Sequence, residues 1–260
     1  MVIKNNLVTE DKDLLFNDLM LAKNKDLMYM VYQPQYDLDT KEIVGMESLL
    51  RYKSEEYGFI PPDIIVDIFE EKGLISALDL YVVRKVFSEI SSLNLKNKRV
   101  SINLSGKSLS NPDFIDKVFS YMKKEKINGY NIEFELTETE YLNKDTILLI
   151  AENVEKLLDR NINISIDDFG IGSSNLSLLN LTAIDKIKID KSFLDGNERS
   201  NKILETIFYL ANLMNLTTVV EGVENIEQEN FLKDFSCNVV QGFLYSIPLP
   251  LTDIIKLIDN

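Results

Sequence analysis

Residues 132–170 carry the pattern most indicative of the fold class, IEFELTETEYLNKDTILLIAENVEKLLDRNINISIDDFG. It opens on a β-branched and aromatic run at Ile132–Thr137, continues through residues 144–160 with helical spacing of its apolar positions, and returns to a second apolar run at Ile162–Asp167. Strand, helix and strand in this order are typical of a parallel βαβ unit.

The same alternation extends in both directions from this unit. We predict eight strands in all: Tyr29–Leu38, Ile43–Tyr52, Val100–Leu104, Ile132–Thr137, Ile162–Asp167, Asp185–Asp190, Thr217–Gly222 and Val239–Tyr245. Helical spacing recurs in residues 61–75, 76–93, 113–127, 144–160, 200–216, 226–235 and 251–258, and only a short apolar piece, LSLLNL, follows the fifth run.

Eight such units predict an α/β fold, a (β/α)8 barrel of the TIM type. The first two runs adjoin through DTKE, residues 39–42, which predicts a hairpin and hence at least one antiparallel strand near the N-terminus. A Rossmann-type open sheet is the main rival, but no G-x-G-x-x-G follows any of the runs. We expect one domain overall, with residues 1–28 as an entry helix or a connection and residues 29–260 as the barrel.

Composition excludes several chemistries. The 260 residues include no histidine, which removes Ser-His-Asp and Cys-His hydrolysis and histidine-bound zinc. The single cysteine, Cys237, lies among apolar residues and is expected to be reduced and buried. With 28 Lys and Arg against 42 Asp and Glu, the formal charge of −14 argues against polymeric nucleic acid and anionic lipid as partners. We find no signal-type apolar segment and no run of 18 apolar residues, so we expect a cytoplasmic protein without membrane insertion.

Polar residues stand at the carboxyl end of nearly every predicted strand. They are Glu47, Asn103, Glu135, Asp167, Asp168, Lys188, Glu221 and Gln241. In a barrel these ends converge on one mouth, where active sites of this architecture are built. Five carboxylates so close together require a cation, because unpaired buried charge is costly. Oxygen donors select Mg²⁺ or Mn²⁺, and the adjacent Asp167 and Asp168 suggest a site for two ions.

Each of these residues has a structural explanation when taken alone. Asp-Asp-Phe-Gly is typical of a turn after a strand, Asn103 suits a helix cap, and Glu47 suits a solvated face. Lys188, which alternates with apolar neighbours, would then be an outward-pointing lysine of a strand. Their joint placement on separate strands favours a site.

At these residues the sequence resembles the EAL-domain phosphodiesterases, which hydrolyse cyclic di-GMP. The family motif Glu-Ala-Leu-x-Arg appears as Glu47-Ser48-Leu49-Leu50-Arg51, and the match continues in order through INLS, ELTE, DDFG, KIDKSF, EGVE and QGF. The motifs span residues from about 29 to 250, nearly the whole chain.

The resemblance implies a role for each matching position. Glu47, Asn103, Glu135 and Asp167 would hold one Mg²⁺ or Mn²⁺ ion, and Asp167 would bridge to a second ion bound by Asp168 and Glu221. Lys188 would contact the attacking water, Gln241 would orient a water at the metal, and Glu138 would anchor the loop after the fifth strand. Arg51 would bind a substrate phosphate, with Gln33 and Asp190 as further contacts to cyclic di-GMP. The catalytic set implied in this way is Glu47, Lys188, Glu221 and Gln241, the product is linear pGpG, and the assembly is a homodimer.

The chain departs from the family pattern at Ser48, where alanine is usual, and at Ile171, Ser173 and Asn175 in the loop after the fifth strand. The resemblance implies that this loop couples dimerisation to the geometry of the metal site, so the departures bear on rate and regulation. The residues alone leave two other functions possible. One is a receptor that binds cyclic di-GMP without hydrolysing it, and the other is an enolase-like enzyme with Lys188 as its base.

Overall fold

The structure, a computed structural model, describes residues 9–137, 144–171, 178–180 and 184–259. These residues form nine strands: β1 Tyr29–Asp37, β2 Ile43–Ser54, β3 Gly58–Ile60, β4 Arg99–Leu104, β5 Ile132–Thr137, β6 Asn163–Asp167, β7 Ile184–Ile189, β8 Thr217–Val220 and β9 Val239–Val240. They also form nine α-helices: α1 Thr9–Asn24, α2 Pro62–Glu71, α3 Ile75–Ile90, α4 Gly106–Leu109, α5 Pro112–Glu125, α6 Lys144–Leu158, α7 Glu198–Leu213, α8 Ile226–Lys233 and α9 Leu251–Asp259.

The sheet closes into an eight-stranded barrel, which confirms the predicted fold class. Strands β2 and β4 to β9 pair in parallel in chain order, and β1 closes the ring by pairing with both β2 and β9. Strand β1 runs antiparallel to both neighbours, so the predicted hairpin is confirmed and a second antiparallel pair, β1 with β9, accompanies it. Strand β3 extends the hairpin from the end of β2 and lies outside the ring.

The two faces of the barrel strands differ in chemistry. In β4, Val100, Ile102 and Leu104 are at most 1% exposed and belong to the apolar core with the helices. The residues between them, such as Asn103, point into the barrel, where Asn103 reaches Glu47 of β2. Barrel interiors are usually filled by Val, Ile and Leu. Here the apolar side chains fill the layer between strands and helices, which leaves a polar interior.

The predicted end of the last strand is wrong. We expected Val239–Tyr245, but β9 ends at Val240, and the N–H groups of Tyr245 and Ser246 donate to the carbonyl of Gly242 in a turn. The turn requires glycine at position 242, because a Cβ there would lie 2.1 Å from the carbonyl oxygen of Val223 and clash with it. The seventh run also ends early, at Val220, because Gly222 has a φ of +61°.

Three smaller features complete the comparison with the prediction. The sequence reading did not include β3 or the one-turn helix α4. Within LSLLNL, the described residues Leu178–Asn180 form a 3-10 turn.

Helix α1 lies within the segment expected to be an entry helix or a connection. Its Leu15, Leu19 and Ala22 are fully buried and belong to the same apolar core as the barrel. The ion pairs Lys12–Glu71 and Lys72–Asp13, both 2.5 Å, also tie it to α2 and the residue that follows α2. The division of the chain at residue 28 stays a prediction. Among the helices of the described residues, none combines the length and the apolar character needed to cross a membrane.

Candidate active site

Lys188 occupies the centre of the barrel mouth. Its Nζ lies 2.7 Å from Glu135, 3.1 Å from Asp167 and 2.6 Å from Glu221, and Glu47 is 3.5 Å away. These carboxylates come from four other strands or strand ends, and the Lys188 side chain is 1% exposed. The outward-pointing alternative for Lys188 is therefore wrong. The convergence of strand ends, which the sequence predicted, brings these five residues together.

Backbone hydrogen bonds fix the residues that follow the strands. The N–H of Glu221 donates to the carbonyl of Ile189, and the N–H of Gln241 donates to the carbonyl of Val220, each at 2.9 Å. These bonds continue the ladder for one residue beyond β8 and β9. Both side chains are thereby held at the carboxylate cluster although neither belongs to a strand: Glu221 contacts Lys188, and Gln241 contacts Glu47.

Glu47 is held by two amides. Its Oε1 accepts from Nδ2 of Asn103 at 2.9 Å, and its Oε2 accepts from Nε2 of Gln241 at 2.6 Å. Gln241 also donates to Gln33 at 3.2 Å and accepts from Gln35 at 3.0 Å. The amide of Gln241 therefore has a fixed orientation, with its nitrogen toward the carboxylates.

The carboxylates form two triads that share Asp167. One oxygen each from Glu47, Glu135 and Asp167 lies within 4.8 Å of the others, and so does one oxygen each from Asp167, Asp168 and Glu221. Two cations could share Asp167 in this arrangement, and their binding stays a prediction.

Two buried acceptors, one in the first triad and one on the neighbouring Asn103, support a bound cation. The Oδ1 of Asn103 and the Oε1 of Glu135 are buried and have no hydrogen-bond partner among the described residues. A buried acceptor without a donor is costly and rare. Carboxylate and amide oxygens are the ligands that Mg²⁺ and Mn²⁺ prefer, so the donor set fits these ions.

The electrostatics of the cluster also call for added positive charge. Burial raises the pKa of Glu221 to about 8 and, with Asp167 nearby, raises the pKa of Asp168 to about 6. Burial also raises the pKa of Glu135 well above its usual range. For Glu47, burial is outweighed by Lys188 and by the amides of Gln241 and Asn103, and its pKa is lowered. The surrounding carboxylates outweigh burial at Lys188 and raise its pKa, so this ammonium stays charged.

The Asp167–Asp168 pair sits at a sharp turn. Asp168 has a φ of +53°, a left-handed conformation that Asp tolerates better than most residues, and its N–H donates to Oδ1 of Asp167 at 3.0 Å. The next N–H, that of Phe169, donates to the carbonyl of Lys188 at 2.9 Å. The turn alternative proposed for Asp-Asp-Phe-Gly is thus correct, and the same turn presents both carboxylates to the mouth.

Two cavities adjoin the cluster, and Glu47 lines both. One, of about 290 Å³, is bounded by Gln33, Asp190, Glu221 and Gln241 among others. The second, of about 520 Å³, is bounded by Arg51, Asn103 and Asp168 together with α2 and α3. The mouth therefore has room on both sides of the carboxylates.

The three residues predicted to bind substrate all line these cavities. Gln33 is buried and donates to the carbonyl of Ser246 at 3.1 Å. Arg51 is half-buried, and its guanidinium donates to the carbonyl of Leu50 at 2.8 Å. Asp190 caps the turn Lys191–Leu194 by accepting from the N–H of Ser192. Glu138 lies outside the described residues, as do Ser173 and Asn175.

Sequence reasoning missed several residues at the site. Gln35, which orients Gln241, stands two positions after Gln33 and hence on the same face of β1. Glu224 and the 63% exposed Phe243 line the smaller cavity. Both belong to motifs already quoted, EGVE and QGF, so the signal was present.

Comparison with known proteins agrees with this geometry. The sequence profile of the family described as EAL domain matches residues 17–248. The chain is 32% identical over 255 residues to the oxygen sensor protein DosP of Escherichia coli. The aligned region covers 96% of this chain and 32% of DosP. It is 32% identical over 241 residues to the cyclic di-GMP phosphodiesterase NbdA of Pseudomonas aeruginosa, covering 90% of the chain and 30% of NbdA. The chain thus spans about a third of the length of these curated relatives.

Solved structures show the same architecture. The PaMucR phosphodiesterase in complex with c-di-GMP superposes with a TM-score of 0.83 at 27% identity, covering 93% of this chain and 99% of that one. The EAL enzyme Bd1971 in its cAMP-bound form superposes with a TM-score of 0.86 at 28% identity, covering 96% and 71% of the two chains. With the profile match over most of its length, the chain belongs to the EAL domain family of cyclic di-GMP phosphodiesterases.

Proposed function

We propose that this chain hydrolyses cyclic di-GMP to linear pGpG with two Mg²⁺ or Mn²⁺ ions. The observation that carries the proposal is the pair of carboxylate triads that share Asp167 at the barrel mouth. Relatives named as cyclic di-GMP phosphodiesterases, and a phosphodiesterase solved with c-di-GMP, support the choice of substrate.

Each ion has a set of oxygen donors within reach. Glu47, Glu135, Asp167 and the orphaned Oδ1 of Asn103 would hold one ion, and Asp167, Asp168 and Glu221 would hold the other. When bound, such ions would supply Lewis acidity toward a phosphodiester oxygen and would lower the pKa of a water.

The chain's own residues bind and orient the substrate. The Arg51 guanidinium on one side of the carboxylates offers a fork of donors to a phosphate, and Gln33 and Asp190 offer polar contacts on the other side. Cyclic di-GMP has two guanosines joined by two phosphodiesters. Two cavities adjoin Glu47, and each could bind one guanosine of such a ligand.

The reaction adds water across one phosphodiester bond of the ring. The water oxygen bonds to phosphorus, the bond from phosphorus to the 3′ oxygen breaks, and the linear dinucleotide leaves with a 5′ phosphate and a free 3′ hydroxyl. Lys188, held as an ammonium by its carboxylates, donates to the attacking water, and Gln241 orients it beside Glu47. A carboxylate of the cluster accepts the water proton, and the leaving 3′ oxygen takes up a proton from solvent to become the hydroxyl. Fixed donors at developing charge account for much of the rate of such reactions.

We also propose that the chain works as a homodimer. On α6, Leu148 is 63% exposed and Leu149 is 41% exposed, and Ile171, after β6, is 41% exposed. Adjacent exposed apolar side chains, such as Leu148 and Leu149, are a common mark of protein interfaces. Light scattering on the wild type and on Leu148→Glu tests this, since the substitution should lower the measured mass to that of a monomer.

The charge of −14 opposes polymeric nucleic acid as a partner, and the buried, unpaired Cys237 suits a cytoplasmic location.

Product chromatography tests the proposed function. The wild type, incubated with cyclic di-GMP and Mg²⁺ or Mn²⁺, should release pGpG, and EDTA should stop the reaction. Intact cyclic di-GMP that co-elutes with the metal-loaded protein would instead identify a receptor. A dehydration product from a carboxylate substrate would identify an enolase-like enzyme.

A further inference from the structure

A second lysine–glutamate pair lies beneath the first inside the barrel. Lys186 of β7 contacts Glu133 of β5 at 2.9 and 2.6 Å, while Lys188 contacts Glu135 at 2.7 Å. Side chains two positions apart on a strand face the same side, so each pair sits one layer from the other. Strand β6 separates β5 from β7, and both pairs therefore meet across the barrel interior.

The lower pair is buried and balanced in charge. Glu133 is 0% exposed and Lys186 is 9% exposed. Arg99 lies 3.7 Å from Glu133 and 3.3 Å from Asp185, so two cations in this layer face two carboxylates. In the upper layer, Lys188 is the one cation within reach of four carboxylates in the part of the chain that the structure describes.

The pairing in the lower layer affects which carboxylates Lys188 can meet. Without Lys186, the buried Glu133 would keep Arg99, partly exposed and 3.7 Å away, and would attract the nearest ammonium in the barrel as a second cation. That ammonium belongs to Lys188, one layer above on the same strand as Lys186. By occupying both oxygens of Glu133, Lys186 leaves the Nζ of Lys188 with the carboxylates of the mouth.

We propose that Lys186 and Glu133 are positioning residues that hold Lys188 at the mouth for the proposed hydrolysis, on which this inference rests. Neither residue lines the two cavities beside the cluster. They would therefore act on the substrate through Lys188 and not by direct contact. Loss of Lys186 should therefore lower the rate and raise the metal affinity. The rate falls because the reaction loses the ammonium of Lys188. The affinity rises because the carboxylates of the mouth, with less positive charge beside them, attract a divalent cation more strongly.

The test measures activity and Mn²⁺ affinity on the same proteins, the wild type, Lys186→Met and the double variant Glu133→Gln/Lys186→Met. In Lys186→Met we expect kcat to fall roughly tenfold or more with KM changed less than about threefold, and Mn²⁺ affinity by calorimetry to rise about threefold or more. The double variant has no charge left to attract Lys188, so both quantities should return to within about threefold of the wild type. Lys202→Met, which removes an exposed ion pair with Glu198, is the matched control and should change neither.

A merely structural role would weaken catalysis and metal binding together, and the double variant would not restore them. That result, or an unchanged kcat and Mn²⁺ affinity in Lys186→Met, overturns the proposal. If Lys186→Met does not fold, Lys186→Gln takes its place, with the same expected fall in kcat and rise in Mn²⁺ affinity and the same return in Glu133→Gln/Lys186→Gln. A wild type that binds Mn²⁺ but leaves cyclic di-GMP intact contradicts the proposed function, while the Mn²⁺ measurements still test the placement of Lys188.

Discussion

The Nζ of Lys188 lies 2.6 Å from Oε1 of Glu221, and this contact joins the end of β7 to the residue that follows β8. Three other carboxylates surround the same nitrogen within 3.5 Å. Lys188 is therefore both the main counter-charge of the cluster and the donor closest to its centre.

Replacement of Lys188 by Met should separate binding from turnover. We expect kcat to fall about 10³-fold, since a fixed donor at developing charge is lost. Divalent-cation affinity should rise, because a competing positive charge leaves the cluster. Steady-state kinetics and Mn²⁺ calorimetry on the same preparation check this. A variant that keeps most of its kcat would show that Lys188 has no part in the reaction.

The shared position of Asp167 predicts a difference between neighbouring residues. Asp167 belongs to both triads and Asp168 to one. Asp168→Asn should therefore lose one of two Mn²⁺ ions, whereas Asp167→Asn should weaken both. Calorimetric stoichiometry measures the two cases, and equal effects from both substitutions would contradict a bridging aspartate.

Without metal, stability should fall as pH rises. Burial raises the pKa of Glu221 from 4.5 to about 8, so the folded protein holds this proton more tightly than the unfolded chain does. The free energy of unfolding then decreases with pH between these two values and levels off above the higher one. In EDTA the melting temperature should drop by several degrees over this window, and Glu221→Gln should flatten the profile. Saturating Mg²⁺ should remove most of the drop in melting temperature. A flat profile for the wild type in EDTA would contradict a raised pKa of Glu221.

Glu229 should show the opposite pH dependence at a site away from the mouth. Its carboxylate contacts Lys41 at 2.9 Å, Lys233 at 2.8 Å and the hydroxyl of Tyr245 at 2.5 Å. Although burial opposes it, these partners lower the pKa of Glu229 from 4.5 to about 2. The stability that Glu229 contributes is thus complete above the higher value and is lost as pH falls toward the lower one.

Glu229→Gln should cost about 2 kcal/mol of unfolding free energy at neutral pH, because the partly exposed Lys41 and Lys233 lose their counter-charge. The difference from wild type should shrink below pH 4.5, where the unfolded carboxylate takes up its proton. Urea unfolding at several pH values measures it. Lys202→Met, at an exposed pair, serves as control, and a pH-independent difference would show that packing rather than charge is lost.

Much of the fold was predictable because each strand carries its own signal. In β4 the alternation of Val100, Ser101 and Ile102 marks both the strand and its two faces, and the polar ends of successive strands predicted the mouth. The end of β9 was not predictable in this way. The apolar residues after Gln241 continue the pattern of a strand, and only the close approach of Gly242 to Val223 shows why the chain turns there.

The pairing of charges inside the barrel also lay beyond the sequence. From the sequence, Lys186 cannot be distinguished from Lys188, since both are polar positions on the same face of β7. The same holds for Glu133 and Glu135 in β5. Which lysine meets which glutamate depends on the register of β5, β6 and β7 in the closed ring. Gln35 was missed for the same reason, since its partner, Gln241, is 206 residues away.

The decisive measurement is a titration of metal into EDTA-treated protein, with pGpG formation as the readout. We expect no hydrolysis of cyclic di-GMP without metal and a rate that rises with occupancy of the second Mn²⁺ ion, to be lost again in Asp167→Asn. Cyclic di-GMP left intact at full occupancy of both sites, or hydrolysis that EDTA does not affect, would contradict it.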